Sequence, residues 1–208
     1  MIIAPVLIDF KFSIALIGES GAGKTSIGHF YDTGKCYDIS PLTTISLENS
    51  YKFISIHSKT VKITLWDTAG QEKYRSLSKV IMNGSKIVVL VYDVTNKKTF
   101  EELNFWVKSV EEVLGKDPIL GIAANKIDLF EEQVVEKEEG EKYANDIGAL
   151  FAETSAKEDQ KGFQDFIFKL LQKYIEKNGL GKKNIDNGRV TITKDNNKNN
   201  NKTNKCGC

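Results

Sequence analysis

The segment IALIGESGAGKT, residues 14–25, constrains the fold of this chain more than any other feature. An apolar run is followed by three closely spaced glycines and then by Lys24 beside Thr25. So much glycine is needed only where the backbone bends sharply and lies close to another group. The segment fits G-x-x-x-x-G-K-[ST], in which backbone N–H groups surround phosphate oxygens, Lys contacts the outer phosphates and the hydroxyl ligates Mg²⁺. The sequence therefore predicts a phosphate-binding loop.

The residues on either side of this loop predict the elements that hold it. Phe10 to Ile17, FKFSIALI, alternates and then becomes continuously apolar, which is typical of a strand entering a buried parallel sheet. The segment after Lys24 suits a helix whose N-terminus would face the phosphates. A plain glycine-rich turn is the alternative, and the flanking strand and helix count against it.

Further apolar runs predict a six-stranded, mostly parallel sheet. The other strand candidates are Tyr51–Ile56, Val61–Trp66, Lys86–Tyr92, Ile119–Asn125 and Leu150–Glu153, with the first two joined as a hairpin. Helical patterns separate the later strands: Thr99 and Glu102 fit a capping box ahead of FWVKSVEEVL, Glu136–Ile147 is periodic, and FQDFIFKLLQKYIEK has apolar residues at helical spacing. Alternating strands and helices predict an α/β fold with helices on both faces and ligands at the carboxyl ends of the strands.

The charge is distributed unevenly along the chain. The formal net charge is +1 at pH 7, which offers no domain-wide basic field, so we expect no nucleic-acid partner. Residues 179–208 hold seven Lys and Arg against two Asp, so they carry +5 and leave −4 for the rest. This last segment is rich in Asn and Lys with almost nothing to bury, which predicts a disordered basic tail. We expect one domain over residues 1–178, followed by this tail.

The cysteines and the apolar stretches indicate where the chain works. Its three cysteines, Cys36, Cys206 and Cys208, form no disulfide framework and show no metal-ligand spacing, which indicates a reducing compartment. The apolar start MIIAPVLIDF has no basic region and is broken by Pro5 and Asp9, so it does not fit a signal peptide. No stretch approaches the ~18 uninterrupted apolar residues of a membrane span. We expect the body to be cytosolic.

The stretch NKID, Asn125 to Asp128, indicates which base accompanies the phosphates. It directly follows an apolar strand, and Asp128 would accept two N–H donors from a guanine edge. Adenine lacks this donor pair, so a carboxylate here discriminates against adenine by leaving polar groups unpaired. A solvated loop is the usual fate of an isolated N-K-x-D, and a P-loop kinase or ATPase is the competing class. A guanine site agrees better with the other motifs.

The stretch LWDTAGQEKY, residues 65–74, places an acid, a glycine and a glutamine in one short loop after a strand. Asp67 can hold Mg²⁺ through water, and the Gly70 N–H can reach the terminal phosphate with no side chain in the way. The Gln71 amide can orient an attacking water. This loop therefore predicts nucleotide hydrolysis.

These motifs, in this order, resemble those of the Ras superfamily of small GTPases, most closely its Rab branch. The resemblance covers about Phe10 to Lys177 and the last residues, and rests on GESGAGKT, WDTAGQE, NKID, ETSAK and CGC. It implies a P-loop NTPase fold of the small G domain type and a GTP hydrolase. It implies GTP binding by Gly18, Glu19, Ser20, Gly21, Ala22, Gly23, Lys24, Thr25, Ser26, Tyr37, Thr44, Gly70, Asn125, Lys126, Asp128, Ser155, Ala156 and Lys157.

The resemblance also implies how the site would switch. Thr25, Thr44 and Asp67 correspond to the Mg²⁺ site, and Gln71 to the catalytic residue. Thr44 falls in switch I and Gln71 in switch II, both ordered by the γ-phosphate and released after hydrolysis. The spacing to Asp67 favours Thr44 over its neighbour Thr43.

Switch I departs from the Rab pattern. Rab proteins usually carry a TIGVDF-like stretch where this chain has TISLEN, residues 44–49, and the segment between Thr25 and Thr44 has one extra residue. For the residue against the base, the spacing leaves Cys36 open beside Tyr37. Nucleotide binding survives these differences, but no Rab subfamily or effector can be inferred.

The final residues CGC resemble the ends of Rab chains that carry geranylgeranyl groups on both cysteines, here Cys206 and Cys208. A disulfide across one residue would be strained, and a Cys-x-Cys metal clip would lack further ligands. The resemblance implies a prenylated protein on the cytoplasmic face of vesicle or endosomal membranes that cycles with the cytosol. The implied partners are effectors, exchange factors, GTPase-activating proteins, a prenylation escort and a GDP-dissociation inhibitor.

Several residues are expected to serve packing or solvation. His29 and His57 have no catalytic or metal-ligating partners at suitable spacing, so we expect them at surface or loop positions. Trp66 and Trp106 are expected to pack, although Trp66 borders switch II and could form part of a partner surface. The predicted function is a slow GTP timer that recruits effectors in vesicle transport. A scaffold that binds nucleotide without cycling is the remaining alternative.

Overall fold

The computed structural model describes residues 8–35, 48–56, 58–67, 75–115, 118–158 and 160–179. The strands in these ranges are β1 (Phe10–Ile17), β2 (Glu48–Ile56), β3 (Lys59–Asp67), β4 (Ile87–Asp93), β5 (Ile119–Asn125) and β6 (Leu150–Thr154). The α-helices are α1 (Lys24–Thr33), α2 (Arg75–Asn83), α3 (Lys97–Glu101), α4 (Leu103–Leu114), α5 (Lys137–Asp146) and α6 (Gln160–Asn178). A 3₁₀ turn covers Phe130–Glu132.

The six strands form one sheet in the order β2-β3-β1-β4-β5-β6. β2 and β3 pair antiparallel as the predicted hairpin, and every other neighbouring pair is parallel. Strands and helices alternate from β4 onward, as βαβ connections require. The prediction of a mostly parallel six-stranded sheet is confirmed. The carboxyl ends of the parallel strands meet at one edge, where the predicted motifs lie.

Each face of the sheet is covered by helices, because alternate residues of a strand point to opposite sides. In β1, Ile14 and Leu16 belong to a core that contains residues of α1 and α6. Ala15 and Ile17 belong to the opposite core, which contains residues of α2, α4 and α5. β4, IVVLVYD, is buried along its whole length, as expected for a central parallel strand. The helices on both faces are therefore confirmed.

The start of the α3–α4 region differs from the prediction. Thr99 does not cap a helix: Asn96 caps α3 by accepting from the Lys98 N–H, and Thr99 lies buried inside that helix. The Thr99 hydroxyl accepts from the Asp93 N–H at 2.9 Å and donates to the Asn96 carbonyl at 2.7 Å. The predicted capping box is wrong because the Thr99 hydroxyl instead binds the backbone of Asp93 at the end of β4.

The described part of the chain ends just after α6. Gly179, at a φ of 72°, follows the helix, and its N–H donates to the Ile175 carbonyl at 2.6 Å. The predicted tail covers residues 179–208, and all of it after Gly179, including Cys206 and Cys208, lies outside the described residues. Among the helices of the described ranges, none combines the length and the apolar character that a membrane crossing needs.

Candidate nucleotide-binding site

The predicted phosphate loop connects β1 to α1 and lies against the ends of β4 and β5. Gly18 has a φ of 143°, and a Cβ there would come 2.2 Å from the Val91 carbonyl oxygen. Gly23 has a φ of 89°, and a Cβ there would come 2.2 Å from Asn125 Nδ2. Both positions combine a left-handed backbone with no space for a side chain. The glycine spacing of the motif thus follows from how closely the loop approaches its neighbours.

Lys24 is the first residue of α1, and its side chain folds back against the loop. Its side chain is buried, and Nζ donates to the carbonyl oxygens of Gly18 at 3.0 Å and Glu19 at 2.9 Å. Burial lowers the pKa of Lys24 to about 8, although the carboxylates of Asp67 and Glu19 favour the charged form. The loop therefore encloses an ammonium group whose charge is poorly solvated and which favours a nearby anion.

Thr25 and Asp67 meet beside the loop. Thr25 Oγ1 donates to Asp67 Oδ2 at 2.5 Å, and Asp67 is buried at the end of β3, in register with Leu16 of β1. The pair borders a cavity of about 100 Å³ that is also lined by Gly28 and His29 of α1. A hydroxyl and a carboxylate are oxygen ligands, the type that Mg²⁺ prefers. The donor set therefore fits Mg²⁺.

This fit does not depend on a dense cluster of protein ligands. The described ranges contain no group of three or more His, Cys, Asp and Glu residues that could hold a metal ion by themselves. Mg²⁺ usually keeps several waters and takes one or two carboxylates together with substrate phosphates. A site with few protein ligands beside a phosphate loop agrees with this habit.

Asn125 joins the phosphate loop to the loops after β5 and β6. It is 1% exposed, and its Nδ2 donates to the Ala22 carbonyl at 2.8 Å. Its Oδ1 accepts from Thr154 Oγ1 at 3.3 Å, at the end of β6. Since Asn125 and Thr154 are register partners, one side chain fixes the phosphate loop relative to the ends of β5 and β6.

Asp128 and Ser155 join the next two motifs. Ser155 Oγ donates to Asp128 Oδ1 at 2.7 Å, and accepts from the N–H groups of Lys157 at 3.1 Å and Glu158 at 3.0 Å. Ser155 is buried and Ala156 half-buried, while Lys157 is exposed. The carboxylate of Asp128 is therefore held at one oxygen by a turn that the ETSAK segment forms.

The structure brings most, but not all, of the predicted residues together. The residues that meet at the carboxyl ends of the parallel strands, either at a strand end, in the following loop or in the first turn of α1, are Gly18 to Thr25, Asp67, Asn125 to Asp128 and Ser155 to Lys157. Within the first group, Ser20 and Gly21 are exposed and Glu19 is half-buried. Ser26 is half-buried in the first turn of α1. The residues outside the described ranges are Cys36, Tyr37, Thr43, Thr44, Gly70 and Gln71.

Two side chains at this edge were not predicted to take part. Asp93, the last residue of β4, pairs with Lys126 Nζ at 2.6 Å. Trp106 is 1% exposed, as a packing residue should be, but its Nε1 also donates to Glu19 Oε1 at 3.2 Å. A signal for Asp93 was present, because a carboxylate that ends an apolar strand is the same pattern that singled out Asp67. Nothing in the sequence pairs Trp106 with Glu19.

The remaining histidine and tryptophan predictions have mixed outcomes. His29 was expected at a surface or loop position but lies half-buried in α1, beside the cavity at Thr25. Trp66 packs partly against the core on the α2 side, as expected. His57 falls outside the described ranges.

Comparison with known proteins agrees with this site. The model of the Ras family matches residues 13–176. The chain is 35% identical over 180 residues to Ras-related protein Rab-8B of Homo sapiens, covering 83% of this chain and 86% of that protein. It is 38% identical over 149 residues to Ras-related protein Rab-8A of Rattus norvegicus, 72% of each chain. It is 37% identical over 149 residues to Ras-related protein Rab-10 of Caenorhabditis elegans, 72% of this chain and 74% of that protein.

The chain therefore belongs to the Ras family, whose members are P-loop small GTPases that hydrolyse GTP. Within that family it is a Rab-like small GTPase of vesicle trafficking, a group of proteins associated with membranes. The predicted family, fold class and GTP hydrolase activity are confirmed.

Proposed function

We propose that this chain is a GTP/GDP switch whose nucleotide lies along the carboxyl edge of the sheet, between the phosphate loop and the NKID and ETSAK loops. The observation that carries this proposal is the hydrogen bond from Asn125 Nδ2 to the Ala22 carbonyl, at 2.8 Å. It joins a phosphate-binding motif to a guanine-binding motif through a buried side chain. A nucleotide that contacts both loops needs them at a fixed separation.

At the phosphate end, Lys24 and the backbone N–H groups of residues 18–25 bind the phosphates. Lys24 is the natural anion partner because it is buried and charged at neutral pH, with its pKa lowered only to about 8. Thr25 and Asp67, joined at 2.5 Å, would hold Mg²⁺ together with Thr44. Mg²⁺, when bound, neutralises negative charge on the phosphate oxygens. Ser26 follows these residues in the first turn of α1 and completes the phosphate end.

At the base end, Asp128 accepts two N–H bonds from the guanine edge, and Ser155 holds its carboxylate in place at 2.7 Å. Lys126 and Asn125 border the same space, with Ala156 and Lys157 on the ETSAK side. Tyr37 is assigned to the base by resemblance, with Cys36 as the alternative. Asp128 is half-buried, so leaving its carboxylate without these two donors would be costly, and the arrangement selects guanine over adenine.

Hydrolysis follows from groups in the switch segments. The Gln71 amide orients the attacking water, and the Gly70 N–H contacts the γ-phosphate. Thr44 and Gln71 then lose their contacts once the γ-phosphate has left, which releases a bound effector. Arg75 is the one arginine near these segments, so an activating protein that supplies an arginine is the expected accelerator.

The tail attaches the switch to membranes. Cys206 and Cys208 carry prenyl groups, and two lipid chains are needed for stable attachment because one binds a bilayer only marginally. The +5 segment would add electrostatic attraction to an anionic leaflet. The protein would act on the cytoplasmic face of vesicle or endosomal membranes. It would use effectors, exchange factors, activating proteins, a prenylation escort and a GDP-dissociation inhibitor.

The test is nucleotide choice and turnover on one protein sample. Purified chain is loaded with fluorescent GDP, challenged separately with GTP and ATP, and then followed through a single turnover of GTP. Displacement by GTP but not by ATP, with release of phosphate, supports the proposal. Displacement by ATP would indicate a kinase or ATPase, and binding without phosphate release would indicate a scaffold that does not cycle.

A further inference from the structure

The pair formed by Asp93 and Lys126 lies at the nucleotide edge, and the established activity assigns no role to Asp93. Lys126 Nζ and Asp93 Oδ2 are 2.6 Å apart. Asp93 ends β4 and is the register partner of Asn125 in β5, so it stands beside the NKID loop. The side chain of Asp93 is 6% exposed, whereas that of Lys126 is 33% exposed. The carboxylate is thus the fixed member and the lysine the one that reaches outward.

Three hydrogen bonds hold Asp93 in place in addition to its ion pair with Lys126. Its Oδ1 accepts from the Thr95 N–H at 2.8 Å and from Thr95 Oγ1 at 2.7 Å. Its own N–H donates to Thr99 Oγ1 at 2.9 Å. A buried carboxylate needs such partners to offset its desolvation. The contacts of Oδ1 therefore fix the orientation of the carboxylate, and Oδ2 faces Lys126 Nζ.

Lys126 needs an external constraint, because its backbone is unusual. Its φ is 69°, in the left-handed region that side chains rarely adopt, and such a conformation persists only when its surroundings enforce it. Lys126 Cε lies 3.9 Å from the place where a Cβ on Gly23 would stand. The stem of Lys126 thus runs beside the last glycine of the phosphate loop, between the two ends of the site.

We propose that Asp93 is a positioning residue for nucleotide retention: its charge holds the Lys126 stem across the edge of the site and slows nucleotide release. This inference rests on the proposed nucleotide site. It assigns retention to the Asp93–Lys126 pair and leaves base choice to Asp128. Asp93→Asn keeps the shape of the side chain and an acceptor for Thr95 but loses the charge. Lys126 is free to turn toward water in that variant, because a third of its side chain is already exposed.

The experiment measures release of fluorescent GDP after addition of excess unlabelled GDP, with Mg²⁺ present throughout. Asp93→Asn is expected to release GDP about tenfold faster than the parent, a change of ~1.4 kcal/mol in the barrier. The matched control is Glu139→Gln, which removes the same charge from an exposed ion pair with Lys97. That control is expected to release GDP at the parent rate.

A double-mutant cycle separates positioning from general loosening. If Asp93 acts through Lys126, Asp93→Asn adds no further acceleration in a Lys126→Met background. The release of inosine diphosphate, which lacks the 2-amino group, is expected to rise by the same factor as that of GDP. Additive effects in the cycle, or a changed ratio between the two nucleotides, would overturn the inference.

One further variant keeps the result decisive. Thr95→Val leaves the charge of Asp93 but removes a hydroxyl that holds it, and should accelerate release about two- to threefold through a looser carboxylate. It serves as the test variant if Asp93→Asn does not fold. Parent-like release by both variants would reject the role of Asp93 while leaving the nucleotide site intact. Failure of the parent to retain GDP would instead reject the proposed function.

Discussion

Ser155 Oγ donates to Asp128 Oδ1 at 2.7 Å, across two loops whose residues are 27 positions apart in the sequence. The same hydroxyl oxygen accepts from two backbone N–H groups, so the direction of its proton is fixed by the turn that contains it. The orientation of Asp128 is therefore set by a neighbouring loop and not by solvent. A substitution at Asp128 therefore tests base selection most directly.

Replacing Asp128 with Asn should exchange guanine for xanthine. The acceptor of two charge-assisted bonds is lost, at ~1.5–3 kcal/mol each, so GDP binding should weaken by about 3 kcal/mol or more. Xanthine offers a carbonyl where guanine offers an amino group, and this carbonyl accepts from the new amide. Competition between GDP and xanthosine diphosphate measures the exchange. Asp146→Asn, at the exposed end of α5, is the control and should bind GDP as the parent does.

Replacing Gln71 with Leu should slow GTP hydrolysis while leaving nucleotide binding intact. The amide that we propose to orient the attacking water is lost, so single-turnover hydrolysis should slow by at least about tenfold. GDP and GTP affinities should stay close to those of the parent, since this side chain is proposed to contact the water and not the nucleotide. Lys24→Asn provides the contrast, because it should weaken binding itself. Equal hydrolysis by the parent and Gln71→Leu would remove Gln71 from the mechanism.

The pKa of Lys24 predicts how nucleotide affinity depends on pH. Burial lowers this pKa from 10.5 to about 8 in the nucleotide-free chain, whereas adjacent phosphate oxygens would raise it. Above pH 8, binding then requires proton uptake, so affinity should fall by up to about tenfold per pH unit. Well below pH 8 it should be constant. Titrations of GDP from pH 6.5 to 9.5 test this, and Lys24→Met should abolish the slope.

The same linkage has an opposite sign for folding. Between about pH 8 and 10.5 the unfolded chain retains the Lys24 proton and the folded, nucleotide-free chain does not. Stability of the nucleotide-free chain should therefore rise with pH across this window, relative to that of Lys24→Met. A nucleotide affinity that stayed flat through pH 8 would contradict the first prediction, and parallel stability curves for the parent and Lys24→Met would contradict the second.

Gly140→Ala should destabilise the fold, and should do so less when Tyr92 has lost its hydroxyl. A Cβ on Gly140 would lie 2.4 Å from Tyr92 Oη and 2.8 Å from the Phe151 ring. Overpacking of this kind costs ~1–3 kcal/mol, which should outweigh the helical preference for alanine. Within the described ranges Tyr92 Oη is buried without a hydrogen bond, so Tyr92→Phe alone should be neutral or stabilising. Denaturant unfolding of the GDP-bound variants should show partial rescue in the double variant, and strict additivity would contradict this packing.

Replacing both Cys206 and Cys208 with Ser should move the protein from membranes to cytosol. Removal of both proposed prenyl sites leaves only the +5 segment, which would supply up to about 1 kcal/mol per basic residue close to an anionic surface. Fractionation of cells measures the change, and GTP binding by the purified variant should be unaltered. Cys36→Ser is the control and should stay with the membranes. A double variant that still sediments with membranes would refute the lipid anchor.

The sequence was most informative where a function depends on neighbouring residues. The phosphate loop and NKID were predictable because backbone shape and hydrogen-bonding groups recur at fixed short spacing, and both motifs follow buried strands. The strand limits came within a few residues for the same reason. The predicted capping box is wrong because a threonine hydroxyl can bind groups other than the N–H groups of a helix start. Only the folded chain shows that the Thr99 hydroxyl is taken by the end of β4.

Contacts between distant segments could not be predicted in this way. Trp106 and Glu19 are 87 positions apart, and their hydrogen bond exists only because α4 packs beside the phosphate loop. Asp93 faces Lys126 because β4 and β5 are neighbours in register, which no local pattern specifies. The wider site is thus a property of strand order, and strand order results from packing over the whole chain.

Glu48 and Asp67 are register partners at the open end of the β2–β3 hairpin. The start of β2 and the end of β3 therefore lie side by side, because antiparallel partners have Cα atoms about 4.5–5.5 Å apart. An insertion ahead of Glu48 would lengthen the sequence before β2 without shifting the end of β3. The hairpin thus allows the length of chain before β2 to vary while Asp67 keeps its place beside Thr25.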